Sequence, residues 1–218
     1  MSLRFDLSVL ADRVAEAVEA EEATLREEQS PWGLDSRAEV RLQADLAARL
    51  GAWYEVRREV HYPSTAGKPL SARMRCDLVL SERGRPLRVE SSPVGLFDPP
   101  DSSGVGEALW LEIKTAHQFR EGGVRHGGYG RQWREGVVAD LRKMAAEPLI
   151  REAALLLIAF TESQAIVEKD LDLFEDLLAR REVLAGFRQV RIAAIQDRIG
   201  HRVCTMALWP TIQRGDDS

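Results

Sequence analysis

The stretch ALWLEIKTA, residues 108–116, decides how the fold of this chain is interpreted. Its aliphatic side chains alternate with Trp110, Glu112 and Lys114. A period of two predicts a β-strand with one wholly apolar face, as expected of a strand in a protein core. Because residues i and i+2 of a strand project on the same side, the carboxylate of Glu112 and the ammonium of Lys114 are expected to stand together.

A second strand with one charged face is predicted upstream, at residues 72–80. Asp77 lies on its charged face, and Cys76 lies on the opposite, apolar face. If the two strands are neighbours in one sheet, Asp77 meets Glu112 and Lys114. Two carboxylates beside a backbone carbonyl form a hard oxygen site suited to Mg²⁺. Such an ion polarises a phosphoryl group and acidifies a bound water, and a lysine can orient that water or stabilise developing negative charge.

A carboxylate on a helix is a candidate to complete this site. Residues 36–50 predict a helix with Leu42 and Leu46 on its apolar stripe. Glu39 precedes these leucines by three and seven residues and is therefore expected on the inward face. Two interpretations are open: Glu39 holds a metal-bound water or a second ion, or it caps its own helix in a capping box with Ser36.

Helix and strand patterns alternate along the rest of the chain. Helices are predicted within the first thirty residues and at 130–146 and 168–184, and strands at 53–62, 87–90, 153–160, 190–196 and 203–208. This order predicts an α/β fold with a mixed central β-sheet flanked by helices. The expected organisation is an acidic N-terminal helix at residues 1–30, followed by a single α/β domain at residues 31–218.

The segment Arg75-Cys76-Asp77, followed by Trp110-Leu111-Glu112-Ile113-Lys114-Thr115 after an acidic helix residue, resembles the PD-(D/E)xK nuclease superfamily. The resemblance covers residues 36–160 and implies a restriction-endonuclease-like core. It implies hydrolysis of phosphodiester bonds in nucleic acid with Mg²⁺ as cofactor and Mn²⁺ able to substitute; DNA is favoured as substrate, and the sequence leaves RNA open. It further implies Asp77 and Glu112 as metal ligands, Lys114 as the catalytic lysine, and Glu39 as an accessory catalytic and metal-binding acid.

This chain departs from the pattern of that superfamily at two places. Cys76 stands where the superfamily has proline, and 34 residues separate Asp77 from Glu112. An insertion at residues 91–106, rich in Ser, Pro, Gly and Asp, accounts for the long separation. Glu90 is the rival for the second carboxylate, but Ser92 stands where its lysine should be, so Glu112 is preferred.

A basic segment follows the strand of Glu112. Residues 114–143 contain seven basic and three acidic side chains, a balance of +4 in a chain of net charge −5. The expected nucleic-acid contacts are Arg125, His126, Arg131, Arg134 and Lys143. A basic loop or helix face attracts the phosphate backbone. The alternative is an ordinary glycine-rich loop and a solvated helix face. His117 is either a further group at the site or a structural histidine.

Composition limits the remaining choices. The 218 residues carry 30 Lys and Arg against 35 Asp and Glu, which excludes a histone-like protein that binds by bulk charge but leaves room for a local basic groove. Two cysteines cannot build a disulfide framework and indicate a reducing compartment. The longest apolar run, residues 153–160, is too short to span a membrane. We therefore expect no membrane association and a cytoplasmic location.

The sequence leaves three classes of function open. The preferred one is a Mg²⁺-dependent endonuclease or exonuclease. A second is a catalytically inactive module of the same fold that binds nucleic acid or a protein. A third is a structural subunit that forms a homodimer or docks a protein partner through its acidic N-terminal helix.

Overall fold

A mixed six-stranded β-sheet organises the residues that the computed structural model describes, which are 4–65, 74–88 and 101–212. The helices are α1 (Leu7–Glu27), α2 (Glu39–Leu50), α3 (Tyr129–Ala145) and α4 (Gln164–Arg180). The strands are β1 (Tyr54–His61), β2 (Arg75–Glu82), β3 (Leu87–Arg88), β4 (Ser103–Gly104), β5 (Leu109–His117), β6 (Phe119–Arg120), β7 (Val124–Arg125), β8 (Glu152–Thr161), β9 (Gln189–Ala194) and β10 (Val203–Pro210). The α/β class with a mixed central sheet and flanking helices is confirmed.

The central sheet has the strand order β1-β2-β5-β8-β10-β9. β5 and β8 pair in parallel, and the other neighbours pair antiparallel. A parallel pair needs a crossover connection, and α3 supplies it between β5 and β8. Two short two-stranded sheets, β3 with β4 and β6 with β7, lie outside the central sheet.

The two faces of the sheet carry separate hydrophobic layers. Alternate residues of β5 and β8 belong to each layer, as the two-residue period predicts. Leu111 and Ile113 pack in the first layer with α1 and α2, whereas Trp110 packs in the second with α3 and α4. β8 is buried on both faces, which explains its continuous apolar run at residues 153–160.

The N-terminal helix contributes directly to the first layer. α1 begins after Asp6, whose side chain accepts hydrogen bonds from the backbone N–H groups of Ser8 and Val9. Its apolar stripe, including Leu10 and Val14, is buried against α2, β9 and β10. The predicted helix is confirmed, and its apolar face covers the sheet.

Some boundaries differ from the sequence-based predictions. α4 begins at Gln164 and ends at Arg180, four residues earlier at each end than the pattern predicts. A 3₁₀ helix occupies Leu34–Ser36, so α2 begins only at Glu39. Glu90 and most of the predicted insertion lie outside the described residues. In the described ranges, no helix combines the length and apolarity needed to cross a membrane.

Candidate active site

Glu112 is the most deeply buried acid of the predicted set, with only 2% of its surface exposed. The hydroxyl of Tyr62 donates a hydrogen bond of 2.6 Å to Glu112 Oε1. The ammonium of Lys143, on α3, lies 2.6 Å from the same oxygen. A buried carboxylate is tolerated when it is hydrogen-bonded and paired in this way.

Asp77 reaches Glu112 from the neighbouring strand, as predicted. β2 pairs with β5 through Leu78 and Leu111, and Asp77 lies just beyond, where its carboxylate accepts a 2.7 Å hydrogen bond from the backbone N–H of Ile113. Burial, followed by the negative charge of Glu112, raises the pKa of Asp77 to about 7. The two carboxylates therefore repel each other in a partly desolvated position.

An irregularity in β1 accompanies this placement of Asp77. Glu59 adopts a φ of 53°, and the β1–β2 register passes from Arg58 opposite Leu78 to Val60 opposite Cys76 without a Glu59–Asp77 pair. Cys76 then joins the second hydrophobic layer, whereas Leu78 remains in the first. Cys76 and Leu78 therefore do not share a face, as a period of two would require, and this change coincides with the missing Glu59–Asp77 pair between β1 and β2.

Lys114 lies between two acids from two different helices. Its Nζ is 3.2 Å from Asp140 Oδ2 on α3 and 3.8 Å from Glu39 Oε1 on α2. Burial lowers the pKa of Lys114, but Asp140 and Glu39 outweigh it, so the net shift is upward. Lys114 is therefore a permanent cation at neutral pH and does not serve as a general base in this arrangement.

Glu39 does not cap its own helix. Its Oε2 accepts hydrogen bonds from the backbone N–H of Thr115 at 2.8 Å and from the Thr115 hydroxyl at 3.1 Å. The residue before α2, Ala38, provides no side-chain cap, and the Ser36 hydroxyl instead donates to the carbonyl of Gly33. The capping-box interpretation is therefore wrong, because the carboxylate is held against β5.

Asp140 is a site residue that the sequence analysis missed. Its Oδ1 lies 2.7 Å from Lys143 Nζ and its Oδ2 lies 3.2 Å from Lys114 Nζ, so one carboxylate holds both lysines. In the sequence it counts only as one of three acids in a basic segment. Its spacing of three residues from Lys143 on a predicted helix was the available signal, since residues i and i+3 are neighbours on a helix.

The structure places the predicted nucleic-acid contacts in different surroundings. Lys143 belongs inside the site, because its ammonium pairs with Glu112 and Asp140. Arg134 is engaged by Asp170 at 2.9 Å, and Arg125 by Glu162 at 2.9 Å. Arg125 and Arg131 are exposed, and His126 is half-buried. α3 turns the half-buried Lys143 towards β5, and its part in binding nucleic acid stays a prediction.

A cavity of about 290 Å³ opens beside Lys114. Its wall includes Glu39, His117, His126 and Tyr129. Burial, followed by the neighbouring His201, lowers the pKa of His117 to about 4, so its imidazole is neutral at physiological pH. His117 thus offers the cavity an uncharged hydrogen-bonding group beside a permanent cation.

The fit of a divalent cation can be judged from the donor set. Within the described residues, no group of three His, Cys, Asp or Glu side chains is arranged to hold a metal ion. Asp77 and Glu112 offer a pair of hard oxygen donors, which is what Mg²⁺ commonly takes from a protein when substrate and waters fill its other positions. When all are ionised, the four acids Glu39, Asp77, Glu112 and Asp140 exceed the two lysines by two negative charges, which one divalent cation would balance.

Comparisons with known proteins do not add to this picture. No protein-family model, no curated protein and no solved structure shows a significant match to the chain. The residues of the site are therefore the only basis for inferring a function.

Proposed function

We propose that this protein is a metal-dependent nuclease with a restriction-endonuclease-like core, acting on nucleic acid and preferentially on DNA. The observation that carries the proposal is the meeting of Asp77, Glu112 and Lys114 on two adjacent strands, with Glu39 facing Lys114 from α2. These are the residues that the resemblance to the PD-(D/E)xK superfamily implies, and they converge although they are far apart in the sequence.

Asp77 and Glu112 would hold Mg²⁺ or Mn²⁺ in this proposal. When bound, the ion supplies polarisation of the scissile phosphate and a more acidic water. The near-neutral pKa of Asp77, about 7, means that its carboxyl must lose a proton to become a ligand. Activity is therefore expected to rise with pH through neutrality.

Lys114 acts as an electrostatic group. Because Lys114 stays protonated between Asp140 and Glu39, its ammonium can stabilise negative charge on a phosphate in the adjoining cavity. It can also orient the attacking water. Asp140 is a positioning residue, since it holds Lys114 and Lys143 without itself facing the phosphate in this scheme.

A second candidate function has one specific observation in its favour. Lys143 already supplies a cation to Glu112 at 2.6 Å. A carboxylate neutralised by a lysine has less need of a metal, as expected of a module that retains the fold and binds nucleic acid or a protein without catalysis. The two candidates differ in whether the site responds to a divalent cation.

A metal titration of four proteins tests the proposal: wild type, Glu112→Gln, Lys114→Ala and, as a matched control, Lys169→Ala on the exposed face of α4. Thermal stability and cleavage of mixed single-stranded and duplex DNA are followed together in Mg²⁺ and Mn²⁺. We expect saturable stabilisation and cleavage in wild type and Lys169→Ala, and loss of cleavage in the other two with the fold retained. Undiminished cleavage in both site variants refutes the assignment, whereas no metal response in wild type supports the inactive module.

A further inference from the structure

A second, larger cavity adjoins the site. It has a volume of about 710 Å³ and shares His117 and His126 with the cavity beside Lys114. One wall is the loop that precedes α2, and the other is formed by residues 119–121. Because the two histidines line both spaces, the larger cavity lies directly beside the one next to Lys114.

Trp32 stands at this cavity with 59% of its surface exposed. All five tryptophans of the sequence lie in described residues; Trp110, Trp133 and Trp209 are buried, and Trp53 is half-buried. Trp32 is therefore the most exposed tryptophan of the chain. An exposed indole at a concave surface is costly to leave in water and is a common ligand anchor.

The loop that carries Trp32 is anchored to the protein. The Ser30 hydroxyl donates to the carbonyl of Trp32 at 2.8 Å and accepts from its N–H at 3.2 Å. Gly33 lies so close to its surroundings that an added Cβ would be 2.5 Å from Asp35 Oδ1. Asp35 is in turn fixed by His201, whose Nδ1–H donates to it at 2.8 Å because Nε2 accepts from the backbone. The indole is therefore presented by a pre-organised backbone.

Among the charged residues that line this cavity, Arg120 is the one suited to bind a phosphate. Arg120 is exposed, and in the described part of the chain its guanidinium makes no ion pair or hydrogen bond. Arg37 is occupied by Glu21 and Asp45 and is not available. Of the two carboxylates in the lining, Asp35 is buried against His201, and Glu121 is exposed beside Arg120.

We propose that the larger cavity binds a single-stranded segment of nucleic acid, with one base stacked on Trp32 and the backbone passing Arg120 towards Lys114. This inference rests on the proposed nuclease function and adds the class of substrate. A volume of about 710 Å³ lies in the range of pockets for small organic ligands, about 300–1,000 Å³, which suits one or two nucleotide units. Stacking on an aromatic ring also requires an unpaired base with a free face.

Binding measured in EDTA tests this inference separately from cleavage. The probe is a fluorescently labelled twelve-nucleotide oligodeoxythymidine, compared with a blunt duplex of the same length. We compare wild type with Trp32→Ala and Trp32→Phe, and use Phe187→Ala as a matched control, since Phe187 is 96% exposed and lines neither cavity. Removal of one stacking residue is expected to weaken binding about tenfold, with partial recovery in the phenylalanine variant and no change in the control.

Intrinsic fluorescence supplies a second readout from the same samples. The oligonucleotide should quench the tryptophan emission of wild type, and most of that quenching should be lost in Trp32→Phe. Equal affinity of wild type and Trp32→Ala, tighter binding of the duplex than of the single strand, or absence of binding would each overturn the inference. The nuclease proposal is tested separately. It is wrong if cleavage in Mn²⁺ is absent or does not depend on Lys114, even when Trp32-dependent binding persists.

Discussion

Replacement of Lys143, whose ammonium neutralises Glu112, should destabilise the metal-free protein and increase its stabilisation by a divalent metal ion. In Lys143→Met the buried carboxylate loses its 2.6 Å ion pair but keeps the hydrogen bond from Tyr62. Breaking a buried ion pair costs about 3–5 kcal/mol, and the remaining hydrogen bond offsets about 1 kcal/mol of that. The free energy of unfolding should therefore fall by about 2–4 kcal/mol at pH 8. For a chain of this size Tm should fall by about 4–16 °C.

The assay is thermal and urea denaturation in EDTA, repeated with Mn²⁺. Mn²⁺ should raise the Tm of Lys143→Met more than that of wild type, since the lysine no longer competes for the carboxylate. Lys169→Met makes the same chemical change at an exposed position and should have little effect. If both variants are equally stable and respond equally to Mn²⁺, the assigned role of Lys143 is wrong.

Three further outcomes can be measured on the metal-free protein. The pKa of Asp77 is raised to about 7 from 3.8, so the folded state binds one more proton than the unfolded state between these pH values. The free energy of unfolding should therefore fall as pH rises from about 4 to 7. Asp77→Asn removes this titrating group and should flatten the profile of Tm against pH. Tyr62→Phe removes a buried donor to Glu112 and should cost about 1–2 kcal/mol in urea denaturation, whereas an unchanged midpoint would show that the bond is dispensable. Gly33→Ala forces a Cβ to within 2.5 Å of Asp35, so unfolding should become easier by about 1–3 kcal/mol; an unaffected variant would mean that the loop adjusts freely.

The helices and central strands could be predicted because backbone geometry imposes their periods locally. The alternation around Glu112 correctly assigns Leu111 and Ile113 to one hydrophobic layer and Trp110 to the other. The boundaries shift where a local irregularity intervenes. The 3₁₀ helix at Leu34–Ser36 and the positive φ of Glu59 are two such places, and neither has a periodic signature.

The site could be predicted only in part. That Glu112 and Lys114 share a face follows from the sequence itself, since the strand period brings side chains two residues apart together. Asp77 lies near Glu112 because β2 pairs with β5. Asp140 and Lys143 lie near Lys114 and Glu112 because α3 packs over the sheet.

Tertiary structure alone decided which charged side chains are solvated and which are buried. The sequence of α3 presents Lys143 and Arg142 as adjacent cations of one basic segment, yet Lys143 pairs with Glu112 inside the site and Arg142 donates to a backbone carbonyl near the surface. Trp32 is likewise indistinguishable from the core tryptophans by composition. A charge or an indole has no periodic preference of its own, so its environment is determined by the long-range packing of elements around it.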